Sequence, residues 1–327
     1  MKKVVSTAII YHYFEVNKIY KDNFIFFLNC AIDSDANYFI FISGTCSVDL
    51  PSLQNVEFFY IENKNNDFGA VLEFYKLPNA HNFQSYVFVN SSVRGPFLPT
   101  YHKEKWYEVF TLQLSEKIGL IGSSINSLSE ASPHSIEFQD RHNYTAPFIH
   151  VQTSAYALSS KAYNVLGKNN FYTPVDGLQK NEVIADYEIL MSQILINTGF
   201  TISSLLPTLS DFKADRKHLN LNNTSRYGDV LYKDAFYGRS LSPIECLFVK
   251  TNRDMISEAE LYSYTFTTLT EKYKNHGLDA NGSKLLDESI AGAVSRTPKQ
   301  KLKLLQIKTT LLRKISRLLT KRLTNEK

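Results

Sequence analysis

The sequence predicts an α/β fold: a mainly parallel sheet carrying helices on both faces, with a helical extension at its C-terminal side. Three features lead to that class. Short apolar runs rich in aromatic and β-branched residues recur through the first hundred residues, helical segments lie between them, and turns rich in Asn, Asp and Ser separate the two kinds. Several of the runs are apolar throughout rather than alternating, as strands buried on both faces require.

Along the chain, residues 4–13 form a β-rich run and residues 17–29 fit a helix. Residues 38–43 (YFIFIS) and 56–61 (VEFFYI) are further strands, residues 70–76 are helical, and residues 86–89 (YVFV) are a buried strand ending at Asn90. In such sheets ligands bind beyond the carboxyl ends of the strands, so the segment after each strand matters most. Residues 120–154 hold more strands and a polar loop, SEASPHSIEFQDRHNY. The clearest helix spans residues 182–198, with Ile184, Ile189, Met191, Ile194 and Leu195 apolar and Gly199 as its stop. Residues 211–239 are polar and read as a loop over the sheet edge, and residues 256–275 as another helix. No internal repeat stands out. The domain reading is 1–255 for the α/β domain, 256–297 for a helical extension and 298–327 for a basic amphipathic helix.

Composition narrows the function classes. With 43% hydrophobic and 13% aromatic residues the chain can build a real core, which excludes wholesale disorder. The net charge of +4 hides an asymmetry: from Lys299 onward there are ten Lys or Arg and one acid, leaving about −5 for residues 1–298. A mildly acidic body argues against nucleic acid as a partner. Cys30, Cys46 and Cys246 are scattered and odd in number, so neither a zinc cluster nor a disulfide framework is expected. Reduced thiols in a cytoplasmic protein fit better. The opening MKKVVSTAIIYHYFEV has too short an apolar run for a signal peptide or membrane span and reads as a first strand.

Three stretches are candidates for chemistry. Asn63-Lys-Asn-Asn-Asp67-Phe-Gly69 lies between a strand and a helix, where backbone N–H groups suit phosphate. Its Asn and Asp side chains suit a ribose or base, and the plainer alternative is Asp67 as a helix cap. Asn90-Ser91-Ser92-Val-Arg94-Gly-Pro follows a buried strand, and Arg94 offers planar donors to a diphosphate. An Asn-Ser-Ser turn that satisfies only its own backbone is the alternative there. Asp186 and Glu188 stand near the start of the 182–198 helix, either as solvated first-turn charges or as a base for an acceptor hydroxyl.

In order, Asn63…Asp67-Phe-Gly69, Val89-Asn90-Ser-Ser-Val-Arg-Gly-Pro96, Gly119-Leu-Ile-Gly122, His150-Val-Gln152-Thr-Ser154-Ala-Tyr156 and the acidic helix ending at Gly199 cover residues 4–205. In this series the chain resembles the bacterial rhamnan-synthesis-protein-F-like glycosyltransferases and, more distantly, family-two inverting transferases of the GT-A fold. The resemblance implies a GT-A-like, Rossmann-like domain moving a sugar from a nucleotide diphosphate sugar to a glycan or lipid-linked acceptor. It implies nucleotide-sugar contacts at Asn63, Asp67, Gly69, Asn90, Ser91, Ser92 and Arg94, and acceptor contacts at His150, Gln152 and Ser154. Asn90-Ser91-Ser92 would stand in place of the metal-binding DxD. Glu188 would be the first choice of catalytic base and Asp186 the second.

One departure bears on cofactors. The resemblance would bring Mg²⁺ or Mn²⁺, yet Asn90 and Ser92 are neutral where such cations prefer carboxylates. Either other groups hold the metal, or Arg94 and backbone dipoles stabilise the diphosphate; the expectation leans to weak or absent metal dependence. In the tail, Leu304, Ile307, Leu311, Ile315 and Leu318 share a helical stripe flanked by Lys303, Lys314, Arg317 and Lys321. That pattern fits an anionic membrane surface, or packing on the body or a second subunit. The overall expectation is a transferase for bacterial surface polysaccharide, capsule or lipopolysaccharide, peripheral on the inner face of the cytoplasmic membrane. The alternatives are a catalytically silent carbohydrate- or nucleotide-binding module and a phosphosugar transferase.

Overall fold

A computed structural model describes residues 7–146, 148–212 and 222–293. The chain begins β1 (Thr7–Phe14), α1 (Lys18–Cys30), β2 (Asn37–Ser43), β3 (Val56–Ile61), α2 (Phe68–Tyr75) and β4 (Ser85–Asn90). It continues β5 (Val93–Arg94), α3 (Glu108–Thr111), β6 (Ile118–Gly122), β7 (Ile125–Leu128), α4 (Pro133–Arg141), β8 (Phe148–Val151), β9 (Ala155–Ser159) and α5 (Ser160–Lys168). Then come α6 (Lys180–Val183), a π-helical turn (Ile184–Ile189), α7 (Leu190–Asn197), β10 (Thr201–Ser204), a 3₁₀ turn (Pro207–Leu209), α8 (Pro243–Cys246) and β11 (Val249–Lys250).

The main sheet has the order β10-β6-β9-β4-β1-β2-β3. Strands β3, β2, β1 and β4 pair in parallel, β10 pairs in parallel with β6, and only β9 runs against its neighbours β4 and β6. The mainly parallel α/β expectation therefore holds, with one antiparallel insertion. Because the direction is shared, His12–Phe14, Ser43, Ile61, Asn90, Gly122 and Ser204 all emerge at one edge. The start of β9 joins them there.

Both faces are covered, which explains the unbroken apolar runs. On one face α1 lays Phe24 and Phe27 against Tyr11 and Tyr13 of β1, with ring centroids 4.2 Å apart for Tyr11–Phe27 and for Tyr13–Phe24. Asn17 starts this helix, its side chain accepting from Ile19 N–H at 2.9 Å and Tyr20 N–H at 3.3 Å, a cap worth about 1 kcal/mol. On the other face Ile10, Phe39, Phe41 and Phe88 pack into a core with Phe68, Val71 and Phe74 of α2, Leu166 of α5 and Leu195 of α7.

Residues 129–144, expected as loop, contain α4. The helix buries only Ser135 and Phe138 and so lacks a readable stripe. Phe138 nevertheless meets Phe148 at 4.7 Å, and with Leu128, Ala185 and Ile189 it forms a second small core. That core seats the π turn. The predicted 182–198 helix is thus α6, π turn and α7 in succession, and π turns of this kind concentrate at functional sites.

The chain divides between Ile256 and Ser257. The described part of the second unit is α9 (Glu258–His276) and α10 (Ala280–Ala293), capped at Ser257 by a hydrogen bond from Glu260 N–H at 3.2 Å. Among the described residues no helix is long and apolar enough to cross a membrane. The basic amphipathic helix expected over residues 298–327 lies outside the described residues.

Candidate functional site

A cleft of about 780 Å³ opens at the carboxyl edge of the parallel strands. Of the residues expected at the nucleotide or the chemistry, Asn63, Asp67, Ser91, Ser92 and Glu188 line it, as do His150 and Gln152. The turn after β3 delivers Asp67. Asn65 and Asn66 take φ of 54° and 48° there, the left-handed region that Asn tolerates better than most residues. Asp67 makes no capping hydrogen bond. Its carboxylate instead accepts from Asn90 Nδ2 at 2.6 Å and faces His12 Nδ1 at 3.6 Å. The phosphate expectation for this helix start is corrected: Phe68 N–H and Gly69 N–H already bond the Asn65 and Asn66 carbonyls.

Gly69 does not line the cleft and is closely packed. A Cβ there would stand 2.4 Å from the Lys64 carbonyl oxygen. Asn90 lies beneath the cleft, not in its lining. Its amide oxygen accepts from Ser92 N–H at 3.0 Å and Ser92 Oγ at 2.5 Å, so both ends of the amide serve to hold Asp67 and the following turn. Ser154 is also absent from the cleft lining: it is buried in the entry to β9, where its carbonyl accepts from Asn90 N–H at 3.1 Å.

Arg94 requires the largest correction. It is 1% exposed and does not line the cleft. Its Nε donates to Asn23 Oδ1 at 2.9 Å, and its Nη2 stands 3.8 Å from Asp22 Oδ2. A buried guanidinium persists only where it is paired, and α1 supplies the pair. Asn23 also donates to Ser91 O at 2.9 Å and Thr251 Oγ1 at 2.7 Å, tying α1 to the strand ends. Arg94 is therefore part of the frame beneath the site.

The two candidate acids of the π turn part company. Asp186 accepts from Arg141 Nε at 2.8 Å and Nη2 at 2.5 Å, with His142 Nε2 at 2.9 Å from the same carboxylate. Burial pushes Asp186 up, but these hydrogen bonds outweigh it and leave the carboxyl below the usual range. It does not line the cleft. Glu188 does, half-buried; desolvation raises its pKa and the Asp67 charge adds to this, while Lys250, Thr153 and Arg253 hold it down. A carboxylate of raised basicity at a cleft wall is what a general base needs.

Sequence reasoning missed most of the cations and aromatics. Lys180, Arg226, Lys250 and Arg253 line the cleft, as do His12, Phe14, Val16 and Tyr20 from the end of β1 and beyond. Strand β11 pairs antiparallel with β5, Lys250 opposite Val93, which sets Lys250 Nζ 3.4 Å from Ser92 Oγ. Arg226 and Arg253 lie over the Tyr232 ring at 4.8 and 4.3 Å, and Arg253 is ion-paired to Asp229. Residues 226–229 and 236–239 form matching two-residue turns, each a Tyr-Gly with positive φ closed by an antiparallel bridge. That ten-residue spacing was the available signal in what reads as featureless loop. Gly228 sits so close to β7 that a Cβ would stand 2.2 Å from Ser127 O. Tyr227, 75% exposed, lines the cleft from this turn.

His150 is held as a neutral ring. It is 3% exposed, Nε2 lies 3.3 Å from Asn126 Nδ2, and burial, with a smaller effect of His134, pushes its pKa down to about 3. It can shape the wall but cannot serve as a base that charges near neutrality.

The donor set does not suit a hard divalent cation. Where a DxD would supply carboxylates, Asn90 and Ser92 are neutral and bonded to each other, and of the acids that line the cleft, Asp67, Glu188, Asp229 and Asp254, Asp229 is ion-paired to Arg253. Among the described residues no group of three or more His, Cys, Asp or Glu is placed to hold a metal ion.

No family model matches the chain, and no curated protein matches it. Among solved structures it is similar to an active-site mutant of LgtC, at 9% identity over 90% of this chain and 98% of that one, with a TM-score of 0.40. LgtC is also described as a galactosyltransferase in complex with donor and acceptor sugar analogues, a match at 8% identity over 60% of this chain and 73% of that one, TM-score 0.33. A mannosyltransferase, PcManGT from Pyrobaculum calidifontis, in complex with GDP-Man and Mn²⁺, matches at 8% identity over 93% of this chain and 79% of that one, TM-score 0.34.

Proposed function

We propose that this chain is a GT-A-like glycosyltransferase that moves a sugar from a nucleotide diphosphate sugar to a hydroxyl of a glycan or lipid-linked acceptor. The observation that carries this is the meeting of Asp67, Glu188 and Lys250 in one cleft at the carboxyl edge of a parallel sheet. Phe14, Val16 and Tyr20 give that cleft an apolar end for a base, and Asp67 offers an acceptor to ribose or sugar hydroxyls. Glu188 removes the proton from the attacking hydroxyl as its oxygen bonds to the anomeric carbon. The bond from that carbon to the phosphate oxygen breaks, and both its electrons leave with the nucleoside diphosphate. A single displacement of this kind inverts the anomeric configuration.

In this reading the acceptor belongs to bacterial surface polysaccharide, and the basic residues 298–327 hold the protein at the inner face of the cytoplasmic membrane. Pelleting of the full chain with anionic liposomes, lost when residues 298–327 are removed, supports that part.

The central test is a thermal-shift panel of UDP-, GDP-, ADP- and dTDP-sugars, followed by acceptor-dependent release of nucleoside diphosphate. A ligand at 100 times its Kd stabilises the fold by about 2.7 kcal/mol, a rise of several degrees. If no nucleotide sugar shifts the melting point the reading fails. Binding without release on adding acceptor glycans would leave a silent binding module instead.

A further inference from the structure

The resemblance that suggests a transferase also suggests a dication, and the residues of the cleft disagree with it. The counter-charge for the leaving group must come from elsewhere. Arg94, the first candidate, is locked beneath the site by Asp22 and Asn23.

Lys250 meets the requirement. The β5–β11 pairing fixes its backbone, and its ammonium lies 3.4 Å from Ser92 Oγ, beside the turn where a DxD would stand. It is half-buried within the cleft lining. Among the described residues it forms no ion pair, unlike Arg253, which is held by Asp229. Burial and, after it, Arg253 lower its pKa, while the carboxylates of Asp67, Glu188 and Asp229 act against that shift and favour the charged form. An ammonium held near carboxylates without contacting one keeps its donors for a ligand, and a fixed charge in a partly desolvated cleft stabilises developing anion more than it would in water. Arg226, which lines the cleft over Tyr232, adds positive charge there.

We infer that Lys250 takes the place of the divalent cation and binds the diphosphate of the donor, so that this transferase works without metal. The inference rests on the transferase reading above and deepens it. When the anomeric C–O bond breaks, the added negative charge on the terminal phosphate is met by the Lys250 ammonium, with no proton transferred and no further reactant.

Isothermal titration of UDP, GDP, ADP and dTDP in excess EDTA, beside the matching uncharged nucleosides, tests it. Wild type is expected to bind one of the diphosphates in EDTA. Lys250→Met should weaken that diphosphate tenfold or more while leaving its nucleoside unchanged, and Lys250→Arg should keep most of the affinity. Diphosphate binding that vanishes in EDTA and returns with Mn²⁺ or Mg²⁺ would overturn the inference while leaving the transferase reading intact. So would a Lys250→Met protein that binds the diphosphate as wild type does. The metal arm uses wild type alone, so it decides the question even if Lys250→Met misfolds. If wild type binds no nucleoside diphosphate with or without metal, the transferase reading and this inference fall together.

Discussion

Asp186 grips Arg141 through both carboxylate oxygens, at 2.8 and 2.5 Å, while Glu188, two residues on in the same π turn, lines the cleft. The Arg141 fork ties the turn to α4, since Arg141 also reaches Glu182 at 2.9 Å. If Glu188 is the base proposed above, Asp186 is a positioning residue for it. Asp186→Asn is expected to lower stability by about 2 kcal/mol in urea denaturation, because charge-assisted bonds are lost. Its kcat should fall about tenfold through misplacement of Glu188, with donor KM unchanged and partial recovery in Asp186→Glu. A loss as deep as that of Glu188→Gln would instead make Asp186 the base.

Glu188→Gln should remove general-base help and cost about 10²- to 10⁴-fold in kcat, with diphosphate binding kept. Near-normal turnover would end the assignment.

On the proposed mechanism, the pH profile follows from two opposed shifts. Glu188 acts only when ionised, and its raised pKa means activity is lost on the acid side already above the usual carboxylate range. Lys250 acts only when charged, and burial and Arg253 lower its pKa, so activity is lost on the alkaline side below the usual lysine range. The kcat/KM profile should be a bell drawn inward on both limbs, with the alkaline limb moved outward in Lys250→Arg. His150, neutral down to about pH 3, adds no inflection near neutrality. An acid limb at an ordinary carboxylate value would contradict the placement of Glu188.

Arg94→Met removes the buried donor to Asn23 Oδ1 while Asp22 keeps its ion pair with Lys18 at 2.8 Å, and it should cost about 1–3 kcal/mol, read by chemical denaturation. The folded fraction is expected to bind nucleoside diphosphate normally. A stable variant that had lost such binding would return Arg94 to the cleft.

Tyr227 and Gly228 separate surface from frame. Tyr227→Ala removes an exposed ring and should change stability by no more than about 0.5 kcal/mol. It is expected to raise the acceptor KM about fivefold if the ring stacks on a sugar, a contact worth about 1 kcal/mol. Gly228→Ala must bear a φ of 85° and a clash with Ser127 O, and should destabilise by more than about 1 kcal/mol. Unchanged acceptor kinetics in Tyr227→Ala would exclude this turn from the acceptor path.

Apolar patterning alone was enough for the α/β class and for the parallel strands β1 to β4, and the turns after residues 61 and 89 do supply Asn63, Asp67, Ser91 and Ser92 to the cleft lining. Such patterning encodes burial, and burial in a doubly covered sheet fixes which chain ends meet at one edge. It did not reveal α4, whose buried face is two residues, nor the π turn that divides Asp186 from Glu188. Which polar side chains face the cleft was settled by long-range packing. Arg94 is claimed by an Asn 71 positions away, and Lys250 is carried 158 positions to Ser92 by two short paired strands. Local pattern cannot assign such roles, because a polar group takes whichever distant partner the fold brings within hydrogen-bond reach.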